Sequence, residues 1–479
     1  MCAIIGFEGK LSGNEFISTL NLLNHRGPDA SGIYLKNEIE EILIENSDLN
    51  INEDYSFGLG HNLLSIFNKT NVKKGFQPVK FNKLVLVFNG EIYNFKVLCD
   101  FLDLNYNLSD SFVLISLIDF FYSKTNDLLS SVVESSKLID GDFVFAVYDG
   151  KNLAISRDVI GVKPLFYSIT PEIKMFASEK GVFNNTKNVK SLKPGNILYN
   201  WEEIDLNENI WDLKFNITSD YIKDLEGLLK DSINKRVEGL DEVALILSGG
   251  VDSTLLGYLL KEVSNKTGLK VKLYVVGVPD SKDIYYSKMV ADNLGFDLKI
   301  LEITEKIVLD NLEEVVKFIG ENNLMKIGVG MTMFLASKMI YEDNIKVAIS
   351  GQGADELFAG YSRYLTTYKK GLKYLNNELR YDVGNLYHVN LERDDAATMK
   401  NSVELRLPYL DKKVIEYSLN IPVQYKIKSS DDEVKKRVLR NLAFGLGLSE
   451  ELAYRPKKAA QYGSGIDKIL RKKILKNIN

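Results

Sequence analysis

Cys2 directly follows the initiating methionine, and a residue this small permits removal of Met1. The new first residue would then carry a thiol and an α-amine together. An α-amine titrates near 7.7–8.0 and a thiol at about 8.5, so near neutrality the amine can take the thiol proton, directly or through one water. That is the N-terminal-amine route to an activated nucleophile. A second chemical cluster lies at residues 243–254. Val243 to Leu247 read as a buried strand, Gly249 and Gly250 let the backbone approach a ligand closely, and a helix begins at Val251 or Asp252. Amides at a helix N-terminus bind anions, and Ser248 and Ser253 add hydroxyl donors. Asp252 would repel phosphates unless a divalent cation sits between them, and Mg2+ accepts one or two carboxylates together with phosphate oxygens. The loop lacks the lysine of a Walker-type motif, which argues against a kinase or GTPase.

These residues need elements to hold them. At 479 residues, with 45% hydrophobic and 26% charged residues, the chain has the composition of a soluble, core-forming protein of two or three domains. Its net charge of −5, with basic residues scattered, argues against nucleic acid as a partner. With only two cysteines, Cys2 and Cys99, and no charged and apolar leader at the start, a reducing, cytoplasmic location is expected. No apolar run reaches the roughly 18 residues of a spanning helix, so no membrane partner is expected. Up to about Asn200, short β-rich segments such as 83–88, 142–148 and 153–156 alternate with Gly and Asn turns, and helical stretches fall near 14–24 and 109–122. That pattern predicts a mixed α+β sheet domain over 1–200. Residues 201–219 are polar and unperiodic and read as a connector. Over 220–479, helix 220–236, strand 242–247, helix 251–264, strand 270–277, helix 282–294, strand 298–303 and strand 346–349 alternate, which predicts an α/β doubly wound parallel sheet.

Together the motifs carry a family resemblance. Ser248-Gly249-Gly250-Val251-Asp252-Ser253 resembles the pyrophosphate loop (PP-loop) of enzymes that cleave ATP to AMP and pyrophosphate. The first half is similar to glutamine amidotransferases with an N-terminal cysteine nucleophile, through Cys2 to Gly6, His25-Arg26-Gly27-Pro28-Asp29, Phe88-Asn89-Gly90-Glu91, Ser109-Asp110, Arg157-Asp158 with Gly161 to Leu165, and Phe176 to Glu179. In this order, and with Ser350 to Tyr361 and Val403 to Asp411, the halves resemble the glutamine-hydrolysing asparagine synthetases. The resemblance implies an N-terminal nucleophile sandwich of two antiparallel sheets with helices outside, then a PP-loop synthetase domain, and a homodimer.

It also implies roles. Cys2 would attack the glutamine side-chain amide, releasing ammonia, with the Asn89 side chain and the Gly90 N–H as oxyanion hole. Leu64, Ile66, Glu91 and Asp110 would shape the glutamine pocket, Asp110 receiving the α-ammonium. Leu247, Ser248, Gly249, Gly250, Asp252, Ser253, Val276 and Gly351 would bind ATP, with Asp252 and Asp355 as Mg2+ ligands. Lys457, rivalled by Lys458, would neutralise charge on the reacting phosphate. The substrates implied are glutamine, aspartate and ATP, with ammonia passing between the sites by a route that must stay dry. Three departures stand out. Leu63 occupies the place where the family has an arginine for the glutamine α-carboxylate, with Lys73, Lys74 and Arg26 as candidate substitutes. Gln352 and Ala396 stand where many relatives have glutamate and arginine. Two other readings are an ammonia-dependent or related ligase acting on another carboxylate, and a non-catalytic nucleotide or glutamine sensor.

Overall fold

Successive side chains of a strand point to opposite faces of its sheet, and this alternation explains the layers of the first half. The computed structural model describes residues 2–38, 41–45, 50–67, 75–183, 188–206, 217, 219–455 and 463–477. Its packing divides the chain into two units, Met1–Glu208 and Asn209–Asn479. The first unit holds strands β1 (Ala3–Ser12), β2 (Ala30–Lys36), β3 (Glu41–Glu45), β4 (Asp54–Leu63), β5 (Val79–Phe81), β6 (Leu84–Ile92), β7 (Gly141–Tyr148), β8 (Leu153–Arg157), β9 (Phe166–Ile169), β10 (Ile173–Ala177), β11 (Lys190–Ser191), β12 (Ile197–Tyr199) and β13 (Glu202–Ile204). They form two antiparallel sheets, of order β11-β9-β10-β1-β4-β2-β3 and β13-β12-β8-β7-β6-β5. Ile4, Phe57 and Leu59 of the first sheet share a core with Val85, Val87, Val144 and Ala146 of the second. Their strand neighbours face outward. Ala3, Ile5 and Phe7 meet Phe16 and Leu20 of the helix Gly13–Asn21. Leu84, Leu86 and Phe88 meet the helices Asp110–Thr125 and Leu128–Leu138. The result is helix, sheet, sheet, helix, as the resemblance implies.

Two helices of this unit, Phe95–Leu102 and Leu128–Leu138, were not expected. The second is rich in serine, which competes for backbone hydrogen bonds and scores poorly inside helices. Its one local signal is Asp127, whose side chain caps the Ser130 N–H at 3.1 Å. Residues 201–206, in the stretch read as a connector, pack with the first unit. Trp201 is buried, donates to Glu8 Oε2 at 2.7 Å and lies 6.3 Å from the Phe176 ring, and β13 pairs with β12.

The second unit carries β14 (Glu242–Ile246), β15 (Lys270–Gly277), β16 (Leu298–Glu302), β17 (Val347–Ile349) and β18 (Glu404–Arg406) in one parallel sheet of order β16-β15-β14-β17-β18. Strand β18 escaped the sequence reading because two of its three residues are charged. Arg406 bonds Glu404 at 2.6 Å, and both are buried. The helix Leu324–Glu342 is, against expectation, long and apolar enough to span a membrane, but 67% of its apolar window is buried inside the protein, as in a core helix. Strand order reverses between β14 and β17. In open sheets of this kind, ligands bind outside the carboxyl ends of the strands at such a reversal.

Candidate active sites

The first site is built at the head of β1. The Cys2 backbone N–H donates to Asn89 Oδ1 at 2.9 Å, and the Cys2 carbonyl accepts from Arg26 Nε at 3.3 Å. Arg26 is wholly buried and pairs with Glu179 at 2.9 Å, and His25 reaches the same carboxylate oxygen at 3.0 Å. Burial opposes ionisation of Glu179, but His25 and Arg26 outweigh it and hold its pKa at about 2. The histidine and arginine of the His-Arg-Gly-Pro-Asp segment thus lock the turn beside Cys2. Its aspartate, Asp29, accepts the Ser65 N–H at 2.7 Å and so holds the Leu64–Ile66 segment.

Asn89 is the informative side chain. Its Oδ1 is taken by Cys2, while its Nδ2 is buried and has no hydrogen-bond partner among the described residues. An orphaned buried donor costs about 1–3 kcal/mol, and an oxyanion developing beside Cys2 would satisfy it. The strand is clamped just upstream, where Gln77 takes both the Phe88 N–H at 2.6 Å and the Phe88 carbonyl at 3.1 Å. Gln77 was not anticipated, since nothing local marks it. Position 90 must be glycine because a Cβ there would lie 2.4 Å from the Asp142 carbonyl oxygen. Glu91, half-buried, follows on β6 on the same face as Asn89, and Asp110 opens the helix that packs on the other face of that strand.

Leu63 ends β4, buried, opposite Ala30. Of its candidate substitutes, Arg26 is committed to Cys2 and Glu179, and Lys73 and Lys74 lie outside the described residues. The Arg157-Asp158 signature has an architectural use. Asp158 accepts the N–H groups of Ile160, Gly161 and Val162 on one oxygen and those of Phe143 and Lys163 on the other.

The second site lies at the switch point. Ser253 Oγ accepts the Ser248 N–H at 3.2 Å, Gly249 takes a φ of +61°, and the helix Val251–Thr267 starts immediately after. Gly249 is also sterically required, because a Cβ there would lie 2.6 Å from Tyr286 Cβ. Leu247 and Val276 are buried at the carboxyl ends of adjacent strands. Gly351, just past β17, abuts the loop, where an added Cβ would lie 3.1 Å from Asp252 Cβ.

Asp252 and Asp355 meet through a residue the sequence did not single out. Lys436, 1% exposed, places its Nζ 2.5 Å from Asp252 Oδ2 and 2.5 Å from Asp355 Oδ1. Burial alone would push the ammonium toward neutrality, but the two carboxylates outweigh it and raise its pKa. Asp252 Oδ1 is buried with no partner among the described residues. Two hard oxygen donors and one orphaned carboxylate oxygen suit Mg2+, which completes its shell with phosphate and water oxygens. Among the described residues no cluster of three or more His, Cys, Asp or Glu could hold a metal ion by itself.

Lys457 and Lys458 lie outside the described residues. Arg455, two positions before Lys457, bonds the Ser248 carbonyl at 2.8 Å and Asp283 at 2.7 Å and stacks 4.3 Å from the Tyr286 ring. It therefore ties the start of that segment to the Ser248–Ser253 loop. On the far side of Gly351, Gln352 donates to Asp394, which also pairs with Arg393 at 2.8 Å. Burial raises the Asp394 pKa in spite of Arg393. Glu356, buried, accepts from Tyr361 at 2.7 Å and Asn390 at 3.0 Å.

Residues 224–375 and 367–478 match the asparagine synthase family, and residues 45–204 match the glutamine amidotransferase domain. A Methanocaldococcus jannaschii protein described as a glutamine-hydrolyzing asparagine synthetase is 36% identical over 98% of this chain and 95% of its own length. Asparagine synthetase B of Escherichia coli, also described as glutamine-hydrolyzing, is 28% identical over 97% of this chain and 82% of its own. With the Cys2 backbone bonded to a buried asparagine in one unit, a Ser-Gly-Gly-Val-Asp-Ser turn at the switch point of the other, and similarity that runs the length of both, the chain belongs to the glutamine-hydrolysing asparagine synthetase family.

Proposed function

We propose that the first unit hydrolyses glutamine to glutamate and ammonia and the second uses that ammonia and ATP to convert aspartate to asparagine, AMP and pyrophosphate. The observation that carries this reading is the meeting of Asp252, Asp355 and Gly351 around the Ser248–Ser253 loop at the β14/β17 switch point. A carboxylate is a poor acyl donor because oxide would have to leave. The aspartate side-chain carboxylate therefore attacks the ATP α-phosphate, breaking the bond to pyrophosphate and forming an acyl-adenylate. Ammonia then attacks the acyl carbon and AMP departs, the surplus ammonia proton passing to solvent or a nearby base. Gln352 is an amide and donates to Asp394, so it cannot be that base.

In the first unit, removal of Met1 turns the nitrogen now bonded to Asn89 into an α-amine that takes the Cys2 thiol proton. The thiolate attacks the glutamine amide carbon, Asn89 Nδ2 and the Gly90 N–H hold the oxyanion, the α-ammonium returns its proton to the amide nitrogen, and ammonia leaves a thioester that water cleaves. In the second unit, the loop amides and the Ser248 and Ser253 hydroxyls orient the phosphates, and Lys436 and Lys457 supply positive charge. Mg2+, held by Asp252 and Asp355, would offset the charge gathering on the departing pyrophosphate. The family resemblance also supports a homodimer working in the cytoplasm. The test is pyrophosphate release on mixing protein, Mg-ATP, aspartate and ammonium. Sustained release over many turnovers that needs all of them supports the reading, and release from a different carboxylate but not aspartate overturns the acceptor assignment.

Two predictions concern the glutamine site. Asn89→Ala should lower glutamine-dependent turnover by about 10²–10³-fold, the usual effect of deleting one oxyanion donor, with little change in KM. A raised KM with kcat unchanged would assign Asn89 to binding instead. Leu63→Arg, which restores the guanidinium at a buried strand end, should lower the glutamine KM by about 30-fold or more, since a buried charge partner is worth about 2–5 kcal/mol when it is removed. An unchanged KM would mean that another cation already clamps the α-carboxylate.

A further inference from the structure

The reading above makes Asp252 and Asp355 metal ligands, yet a lysine ammonium bridges them. Much of the local structure serves to put it there. Lys435 and Lys436 are consecutive non-glycine residues with φ of +51° and +49°, a conformation that costs energy for each and persists only where surroundings enforce it. The enforcement is visible. Asp432 accepts the N–H groups of Lys428, Val434 and Lys435 and pairs with Arg437, while Arg440 Nε bonds the Val434 and Lys435 carbonyls, both at 2.9 Å. Gly360 opens the passage for the side chain, because a Cβ there would lie 2.1 Å from Lys436 Cε and 1.8 Å from Asp355 Oδ1.

Two carboxylates and one ammonium leave the cluster a single negative charge. A bare divalent cation would have to settle beside a buried ammonium and share its two partners. Nucleotide phosphates change that balance, since they bring negative charge that both the metal and the ammonium can use.

We propose that Lys436 is the resident counter-ion of the Asp252–Asp355 pair and makes divalent-cation loading depend on nucleotide. Without nucleotide it holds the two carboxylates together and keeps the metal out. When the triphosphate enters, the ammonium turns to the phosphates and frees the carboxylates. The inference rests on the ATP-site assignment and adds an order of events to it.

Mn2+ reports this without catalysis, through the loss of its free electron-spin resonance signal on binding. The full-length protein should bind Mn2+ weakly alone, and at least about tenfold more tightly with a non-hydrolysable α,β-methylene ATP analogue, after correction for Mn2+ held by the analogue itself. Lys436→Met, which keeps the length and removes the charge, should bind Mn2+ without nucleotide about tenfold or more tightly than the parent, and adding Asp355→Asn should abolish that gain. Tight Mn2+ binding by the unaltered protein alone overturns the inference, as does a Lys436→Met variant whose affinity is unchanged. If Lys436→Met does not fold, the comparison on the unaltered protein still decides. Analogue that binds with no effect on Mn2+ overturns the inference and leaves the ATP site standing, whereas no analogue binding at any Mn2+ concentration overturns the ATP-site reading and the inference with it.

Discussion

Cys2→Ala should lower glutamine-dependent asparagine formation by at least about 10³-fold, as expected when a covalent nucleophile is deleted. Ammonium-dependent formation in the same variant should stay within about twofold of the parent, because changes at well-separated, independent sites rarely couple by more than a few tenths of a kcal/mol. The contrast follows from where the chemistry sits. Cys2, Asn89 and their supports Arg26, Glu179 and Gln77 all belong to the first unit, and Ser248, Asp252, Gly351, Asp355 and Lys436 belong to the second. The substitution removes only a sulfur from a buried position whose backbone N–H and carbonyl carry the bonds to Asn89 and Arg26. Retained glutamine turnover would place the nucleophile elsewhere. Loss of both activities would mean that Cys2 supports the synthetase as well.

Asp252→Asn makes the complementary cut. Pyrophosphate release should fall by roughly 10²–10³-fold with ammonium and with glutamine alike, since one charged ligand at a reacting phosphate is worth about 3–4 kcal/mol. The amide keeps the shape and can still accept from Lys436, which also keeps its ion pair with Asp355. The backbone carbonyl of Asp252, bonded by the Tyr409 hydroxyl at 3.0 Å, is untouched. Unfolding is therefore not the expected cause, and an unchanged circular-dichroism melt would confirm that. Glutaminase activity assayed alone should survive. Normal pyrophosphate release in this variant would remove Asp252 from the metal site.

The parts legible in the sequence were those coded locally. A buried-strand run into Ser-Gly-Gly announced the strand–loop–helix turn at Ser248–Ser253. The alternation of residues 220–303 announced the parallel sheet, because apolar strand runs such as Val243–Ile246 and Leu273–Val276 alternate with helical stretches, one of them, Lys282–Leu294, carrying its own cap in Ser281. Asn89 could be named, but not that one of its two polar atoms would be spent on Cys2 and the other left over. Lys436 was illegible for a different reason. It sits in a charged Lys-Lys-Arg run that reads as a solvated surface, and only tertiary structure buries it between carboxylates distant in sequence. Strand β18 was hidden in the same way by its Glu404–Arg406 pair. Gln77, Arg455 and Asp158 act through backbone groups elsewhere in the chain, a role that no residue type announces.

The central claim is that one chain frees nitrogen from glutamine and fixes it on aspartate at the expense of ATP. The direct measurement supplies N-terminally processed protein with Mg-ATP, aspartate and glutamine carrying ¹⁵N in its side-chain amide, and follows products by mass. The account predicts asparagine labelled in its side-chain amide, with AMP and pyrophosphate formed in equal amounts to it. Unlabelled or absent asparagine, while glutamine is hydrolysed and ATP is left intact, would contradict it.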